Sequence, residues 1–331
     1  MKKIFIIAEA GVNHNGKISL AKKLISEAKK TGADAIKFQT FIPDQISSKI
    51  AKTAVYQSKK QYSQYKLLKK LSLNFKEKIL LKNYCKKKKI IFLSSAFDLK
   101  SLKFLLKLNL KFYKIPSGQI NDLPYLRLLA KKNKKILLST GMSTSNEIKD
   151  AIDILVSNGT NKKNITLLHC NSAYPTPPND VNLKSLPYLQ KKFQVNVGLS
   201  DHSEDLIASV LSVPLGAKFI EKHFTLKKHM TGPDHKSSLE PKDFKKLVEY
   251  IRLAEKMMGH EKKVVSKSEK VNLNYVRKSI VASKDIKKGE VFNSNNITTK
   301  RPGYGISPMK LDIILGKVSK KNFSKDQLIK L

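Results

Sequence analysis

Cysteine is scarce in this chain: Cys85 and Cys170 are the only two in 331 residues. A disulfide framework is therefore excluded, and a reducing cytoplasm is the expected location. No apolar run approaches the ~20 residues that a membrane helix needs, so no membrane association is expected. The opening MKKIFIIAEAG joins two lysines to an apolar stretch, but that stretch is short and Glu9 interrupts it. No small-residue cleavage site follows, so it reads as a first strand and not as a signal peptide. Acidic residues are also few, 26 against 65 lysines and arginines, which leaves a net charge of +39. Such a balance invites a nucleic-acid reading. Arginine is nearly missing, however, with only Arg127, Arg252, Arg277 and Arg301 present. Bidentate recognition of phosphates and bases favours arginine. The lysines are spread over nearly every helix-like segment, as in KKLISEAKK, LLKNYCKKKK and LAKKNKK. They read as solvated helix faces whose field draws in small anions. No nucleic-acid partner is expected; a basic nucleic-acid-binding protein stays only as a remote alternative, marked by a steep salt dependence.

What the chain does have is a regular alternation. Short β-branched runs are each followed by an amphipathic helix-like run, starting with KIFIIAEAG and SLAKKLISEAKKTG. AIKFQTF follows, then the long stretch through LLKNYCKKKK, and the series closes with FIEKHFT and PKDFKKLVEYIRLAEKMMG. Eight such units fill residues 1–260, the size and order of an α/β fold of the (β/α)8 TIM-barrel type. A doubly wound open sheet competes, but no G-x-G-x-x-G opens a helix. Residues 261–275 are polar and charged and read as a linker. Residues 276–331 carry short runs, the turn signals KKGE and RPGYG and one short helix, which predicts a small β-rich domain.

Polar side chains gather where each apolar run ends: Glu9, Lys37 and Gln39, Ser94 and Ser95, Lys114 and Ser117, Ser139, Ser172, Ser200 and His202, Glu221 and His223. Barrel enzymes build their sites at the carboxyl ends of the strands. The i, i+2 pairs Lys37/Gln39, Ser200/His202 and Glu221/His223 point to one side of their strands. His202 and His223 are thereby candidate ligands of a divalent metal. Two lysines and several hydroxyls suit a phosphate plus a carboxylate, and Glu9 and Glu221 offer proton transfer. With no Walker-type loop, the phosphate belongs to a small substrate. Cys170 beside His169 suggests a nucleophile pair, but neighbours on a strand face opposite sides, so Cys170 reads as core. His14 and His235 are expected to line the pocket.

EAGVNHNG, KFQTF, KIPSGQ, LSTGM, LLHCNSAYPTP, GLSDH, EKHFTL, GPDHKSSLEP and KRPGYGI resemble, in order and over essentially the whole chain, the bacterial sialic-acid synthase family. The resemblance implies condensation of phosphoenolpyruvate with an acylated amino-sugar aldehyde to give a nine-carbon α-keto acid. It implies Mn²⁺ or Mg²⁺ on His202 and His223. Phosphoenolpyruvate binding falls to Lys37, Ser95, Lys114, Ser117, Ser139 and Ser200. The sugar is then contacted by Gln39, Tyr174 and Asp234, with Glu9 the N-terminal active-site glutamate. The tail resembles the SAF, or antifreeze-like, domain, which in the family reaches across a domain-swapped homodimer and donates the arginine matched here by Arg301.

Two positions depart from the family pattern. Gln119 stands where most relatives have a proton-transferring Glu, and an amide cannot act as a general base. Ser172 stands where Asn is common, and its hydroxyl can still donate to phosphate. KFQTF and PDHKSSLEP are more similar to the members that use 2,4-diacetamido-2,4,6-trideoxymannose and make N,N′-diacetyllegionaminic acid. That sugar lacks the 6-hydroxyl, which gives an apolar Phe38 or Phe41 a purpose, though either could simply pack. An N-acetylneuraminate synthase acting on N-acetylmannosamine is the alternative.

Overall fold

The computed structural model describes residues 3–46 and 63–331. Part of the long stretch after AIKFQTF, residues 47–62, thus lies outside the described residues. The chain divides into two compact units, Met1–Gly259 and His260–Leu331.

In the first unit eight parallel strands close into one barrel in sequence order. They are β1 (Phe5–Gly11), β2 (Ala35–Thr40), β3 (Ile91–Ala96), β4 (Tyr113–Ile115), β5 (Ile136–Ser139), β6 (Ile165–His169), β7 (Asn196–Asp201) and β8 (Phe219–His223). Alternation along each strand sorts its side chains between two surroundings. Ile6, Ala8, Ile36, Phe38, Leu138 and Ile220 face the helices and form the larger core. Ile7, Ala35, Leu93, Phe112, Leu137 and Leu168 fill the barrel itself. Phe5, Phe112 and Phe219 close its floor, with ring centroids 5.2 to 5.4 Å apart.

The strand register carries that apolar fill up to a polar rim. Two residues beyond Ile7, Ala35 and Leu93 stand Glu9, Lys37 and Ser95, with Glu9 paired to Lys37 and to His223. Gln39 pairs with Ser95, Ser95 with Lys114, and Ser200 with Glu221. A change from apolar to polar at one height in several strands makes the mouth, not the floor, the reactive end.

The second unit is a small β-rich body built on the antiparallel pair β9 (Ser279–Ala282) and β10 (Ile297–Lys300). Ile280, Ile286, Phe292, Ile314, Phe323 and Ile329 are its core. The linker expected over 261–275 is a helix for most of its length, Lys267–Val276. Ser266 caps it, accepting from the Glu269 backbone while the Glu269 side chain accepts from Ser266. That reciprocal S-x-x-E capping box was a sequence signal hidden by the segment's polarity.

Candidate active site

A cavity of about 420 Å³ opens at the carboxyl ends of the strands. Its centre is a cluster of buried charges. Lys37 Nζ lies 2.9 Å from Glu9 Oε2 and 3.6 Å from Glu221 Oε1. Lys114 Nζ lies 3.1 Å from the same Glu221 oxygen, and Ser200 Oγ donates to it over 3.1 Å. Two lysines thus balance two carboxylates away from water, and the carboxylates divide by their neighbours. Burial pushes Glu9 up to about 7; Lys37 opposes this and Glu221 adds to it. Burial also acts on Glu221, but Lys114 and Lys37 together outweigh it and hold that carboxyl down at about 2. Near neutrality, then, Glu9 exchanges a proton and Glu221 stays ionised.

On one side the wall is hydroxyl-rich. A Cβ at Gly141 would meet Ser172 Oγ at 2.6 Å, Ser117 Oγ at 2.8 Å and Cys170 Sγ at 3.1 Å. These side chains therefore converge on a gap that only glycine leaves open, and the Gly141 N–H donates to Ser117 Oγ over 3.1 Å. Ser95 and Ser139 are buried in the same wall, and Ser95 Oγ has no hydrogen-bond partner among the described residues. With Lys114 this is a cradle for an anion that accepts several hydrogen bonds.

On another side Glu9 Oε1, Gln39 Nε2 and Asp234 Oδ2 lie 3.3 to 3.4 Å from where a Gly11 Cβ would stand. Gly11 has φ +51° and a bulge in the β1–β2 register beside it, so the chain turns there without a side chain in the way. Burial raises the Asp234 carboxyl to about 6, with Lys37 opposing. Three further neighbours, Tyr174, His202 and His223, pack together, edge to face at His223. The Tyr174 ring is 4.2 Å from His202 and 5.5 Å from His223, and the two imidazoles are 5.5 Å apart.

The imidazoles fit the ligand form. His202 Nδ1 is 2.5 Å from the Asn171 carbonyl oxygen, so it carries the proton and leaves Nε2 unprotonated, 3.4 Å from Ser200 Oγ. His223 Nδ1 is buried with no hydrogen-bond partner among the described residues. Burial lowers His202 to about 4 and His223 well below its usual value. Both are neutral at physiological pH. Among the described residues no three His, Cys, Asp or Glu side chains are grouped to hold an ion alone. An ion here would take two protein nitrogens and complete its shell from water and substrate oxygens.

Three expectations need correction. Gln119 is not among the described residues lining the cavity; its amide donates to the Phe97 carbonyl over 2.9 Å. His14 and His235 do not line it either: His14 is buried against Phe38, and His235 shares a 2.6 Å hydrogen bond with Thr225. Cys170, read as core, lines the cavity 3.3 Å from Ser117 Oγ, because it follows β6 in the inward phase of Leu168. Phe38 packs between Phe92 and the buried Lys78, whereas Phe41 does line the cavity. Arg301 belongs to the second unit, where its Nε donates to the Val276 carbonyl.

An apolar wall completes the cavity and was missed by the sequence reading. Val12, Ile46, Leu67, Leu68, Leu71 and Phe97 join Phe41 there. Leu67, Leu68 and Leu71 share one face of the helix Gln64–Leu71, since Leu71 follows Leu68 by three residues and Leu67 by four, and that helical spacing was the available signal.

Residues 24–263 match the NeuB family, and residues 277–331 match the SAF domain. N,N′-diacetyllegionaminic acid synthase of Campylobacter jejuni subsp. jejuni serotype O:2 is 52% identical, with 100% of each chain covered. Pseudaminic acid synthase of Campylobacter jejuni subsp. jejuni serotype O:23/36 is 38% identical over 97% of this chain and 94% of its own. Among solved structures, the N-acetylneuraminic acid synthetase of Leptospira borgpetersenii superposes with a TM-score of 0.73 at 34% identity, covering 82% of this chain and 90% of its own. The chain belongs to the NeuB family and is a phosphoenolpyruvate-dependent transferase of the sialic-acid-synthase type, which forms a carbon–carbon bond.

Proposed function

We propose that the chain condenses phosphoenolpyruvate with 2,4-diacetamido-2,4,6-trideoxymannose to give N,N′-diacetyllegionaminic acid and phosphate. The apolar wall formed by Phe41, Leu67, Leu68 and Leu71 carries the choice of sugar. A 6-deoxy sugar sets a methyl against such a wall, worth about 0.8 kcal/mol. N-acetylmannosamine would bury a hydroxyl there without a partner, at a cost of roughly 1–3 kcal/mol. The 52% identity to a relative named for this product supports the same choice.

Each polar group then has a task. Lys114 with Ser117, Ser139 and Ser172 holds the phosphate, and Lys37 with Ser95 and Ser200 holds the remainder of phosphoenolpyruvate. Gln39, Tyr174 and Asp234 orient the sugar. The methylene carbon of phosphoenolpyruvate bonds to the aldehyde carbon, and Glu9 gives its proton to the new alkoxide. The positive charge left on the enol carbon faces the ionised Glu221. Water adds to that carbon and returns one proton to Glu9; the hydroxyl so formed becomes the ketone as the C–O bond to phosphate breaks, and its proton leaves on the phosphate. His202 and His223 would hold Mn²⁺ or Mg²⁺, which would supply Lewis-acid chemistry for the aldehyde when bound.

We further propose that the chain works as a cytoplasmic homodimer in which Arg301 of a second copy completes the sugar site. Among the described residues no helix is long and apolar enough to cross a membrane. Purified protein given phosphoenolpyruvate, Mn²⁺ and each sugar should release phosphate fastest with the diacetamido-trideoxy sugar. Equal turnover of N-acetylmannosamine would overturn the choice.

A further inference from the structure

Asp201 and Lys222, one residue before each candidate metal ligand, have no part in the chemistry above. Their side chains point away from the cavity, because Ser200 and His202, and likewise Glu221 and His223, point into it. The two residues are paired directly in the β7–β8 register. Their ion pair is 2.8 Å long and 1% exposed on each side. Lys222 Nζ also donates to the carbonyls of Ser203 at 2.7 Å and Asp205 at 2.8 Å. Asp201 accepts from the Ser203 N–H at 2.8 Å, the Ser203 hydroxyl at 2.6 Å and the Ser209 hydroxyl at 2.5 Å. Both charges are saturated, and the bonds to Ser203 and Asp205 tie down the turn that leaves His202, while the bond from Ser209 reaches the helix Ile207–Leu211.

We infer that the Asp201–Lys222 pair is a positioning device that sets the separation of His202 and His223 and so the affinity of the metal they hold. The inference rests on the reading of those histidines as metal ligands. A buried ion pair is a poor device for stability, since a well-packed apolar pair of similar volume is often as stable or more so. It is a good device for geometry: its hydrogen bonds join β7, β8 and residues 203–205 in one fixed arrangement directly behind the two imidazoles.

The test separates these roles. The double variant Asp201→Leu/Lys222→Met replaces the pair with apolar side chains and leaves no lone buried charge. It should keep the native circular dichroism and melt at or above the native temperature. Its dissociation constant for Mn²⁺ alone, read by titration with electron paramagnetic resonance, should rise 10- to 100-fold, the usual effect of losing a group that orients ligands. A native dissociation constant in the folded double variant overturns the inference. Should that variant not fold, Asp201→Asn keeps the shape and the Ser203 contacts while removing the charge. Mn²⁺ binding at least about tenfold weaker is expected of it, and native binding overturns the inference again. If the native chain takes up no Mn²⁺, or if His202→Ala and His223→Ala bind it as tightly, the metal reading itself falls, independently of either pair variant.

Discussion

Gly141→Ala is the sharpest probe of the anion cradle, because one methyl would occupy the point where three side chains converge. Gly141 is not among the glycines in the left-handed region, so alanine suits its backbone and the conflict is confined to side chains. Contacts of 2.6 Å to Ser172 Oγ and 2.8 Å to Ser117 Oγ are closer than a Cβ tolerates, so both hydroxyls must move. Over-packing of this kind costs about 1–3 kcal/mol of stability, which the chain should survive folded. The functional cost falls on phosphoenolpyruvate. Each hydrogen bond to a charged group is worth about 1.5–3 kcal/mol. Losing two removes at least ~3 kcal/mol, or roughly a hundredfold in KM. The sugar contacts at Gly11 form a separate cluster, so the sugar KM should stay within about threefold. Steady-state phosphate release with each substrate varied in turn, beside a thermal melt, measures all three quantities. A phosphoenolpyruvate KM near the native value in a folded protein would refute the cradle, and equal rises in both KM values would show only a general distortion.

Further outcomes follow from the same geometry. Chelation should abolish turnover and Mn²⁺ restore it, while His202→Ala and His223→Ala should stay folded and inactive at any Mn²⁺ concentration. Gln119→Glu should leave kcat within about threefold of native, well short of the roughly 10²–10⁴-fold that general acid–base help supplies. A carboxylate there loses the bond to the Phe97 carbonyl and turns to solvent, so a large gain would show that position 119 reaches the substrate. The native fold retains the Glu9 proton between the usual carboxyl value and about 7, where the unfolded chain has lost it, so stability falls as pH rises through that window. Glu9→Gln should therefore melt like native at pH 5 and higher than native at pH 8.5, by an amount on the order of 3 kcal/mol. A melting difference that does not change with pH would contradict the raised value. Phe41→Ser should raise the KM of the 6-deoxy sugar about tenfold and leave phosphoenolpyruvate alone; parallel shifts in both would count against the apolar wall.

The barrel was legible because its causes are local. Alternation in runs such as KIFIIAEAG and i, i+3, i+4 spacing in the helices need only neighbours in the chain. The same parity put Lys37 with Gln39, Ser200 with His202 and Glu221 with His223 on the inner face. Parity failed once a strand ended. Gln119 lies beyond β4 on a helical turn, so strand phase no longer applied, and its amide found the Phe97 carbonyl. Cys170 continued the inward phase of β6, and its own neighbour His169 drew attention away from it. The helix Lys267–Val276 buries none of its residues, so no apolar stripe marks it in the sequence and only the capping pair Ser266 and Glu269 does.

The sequence by itself determined the strand order, the polar rim and the residue types available there, since these follow from short-range periodicity and from the chemistry of each side chain. Only the tertiary structure decided how those residues act. The division of two chemically identical carboxyls into a proton carrier near 7 and a fixed anion near 2 depends on Lys37 and Lys114. The gap at Gly141 depends on Ser117, Cys170 and Ser172, which stand on two different strand ends. Distances between residues far apart in the chain are set by closure of the barrel. Electrostatic and hydrogen-bond energies vary steeply with those distances, so the chemistry of the site emerges only when the sheet closes.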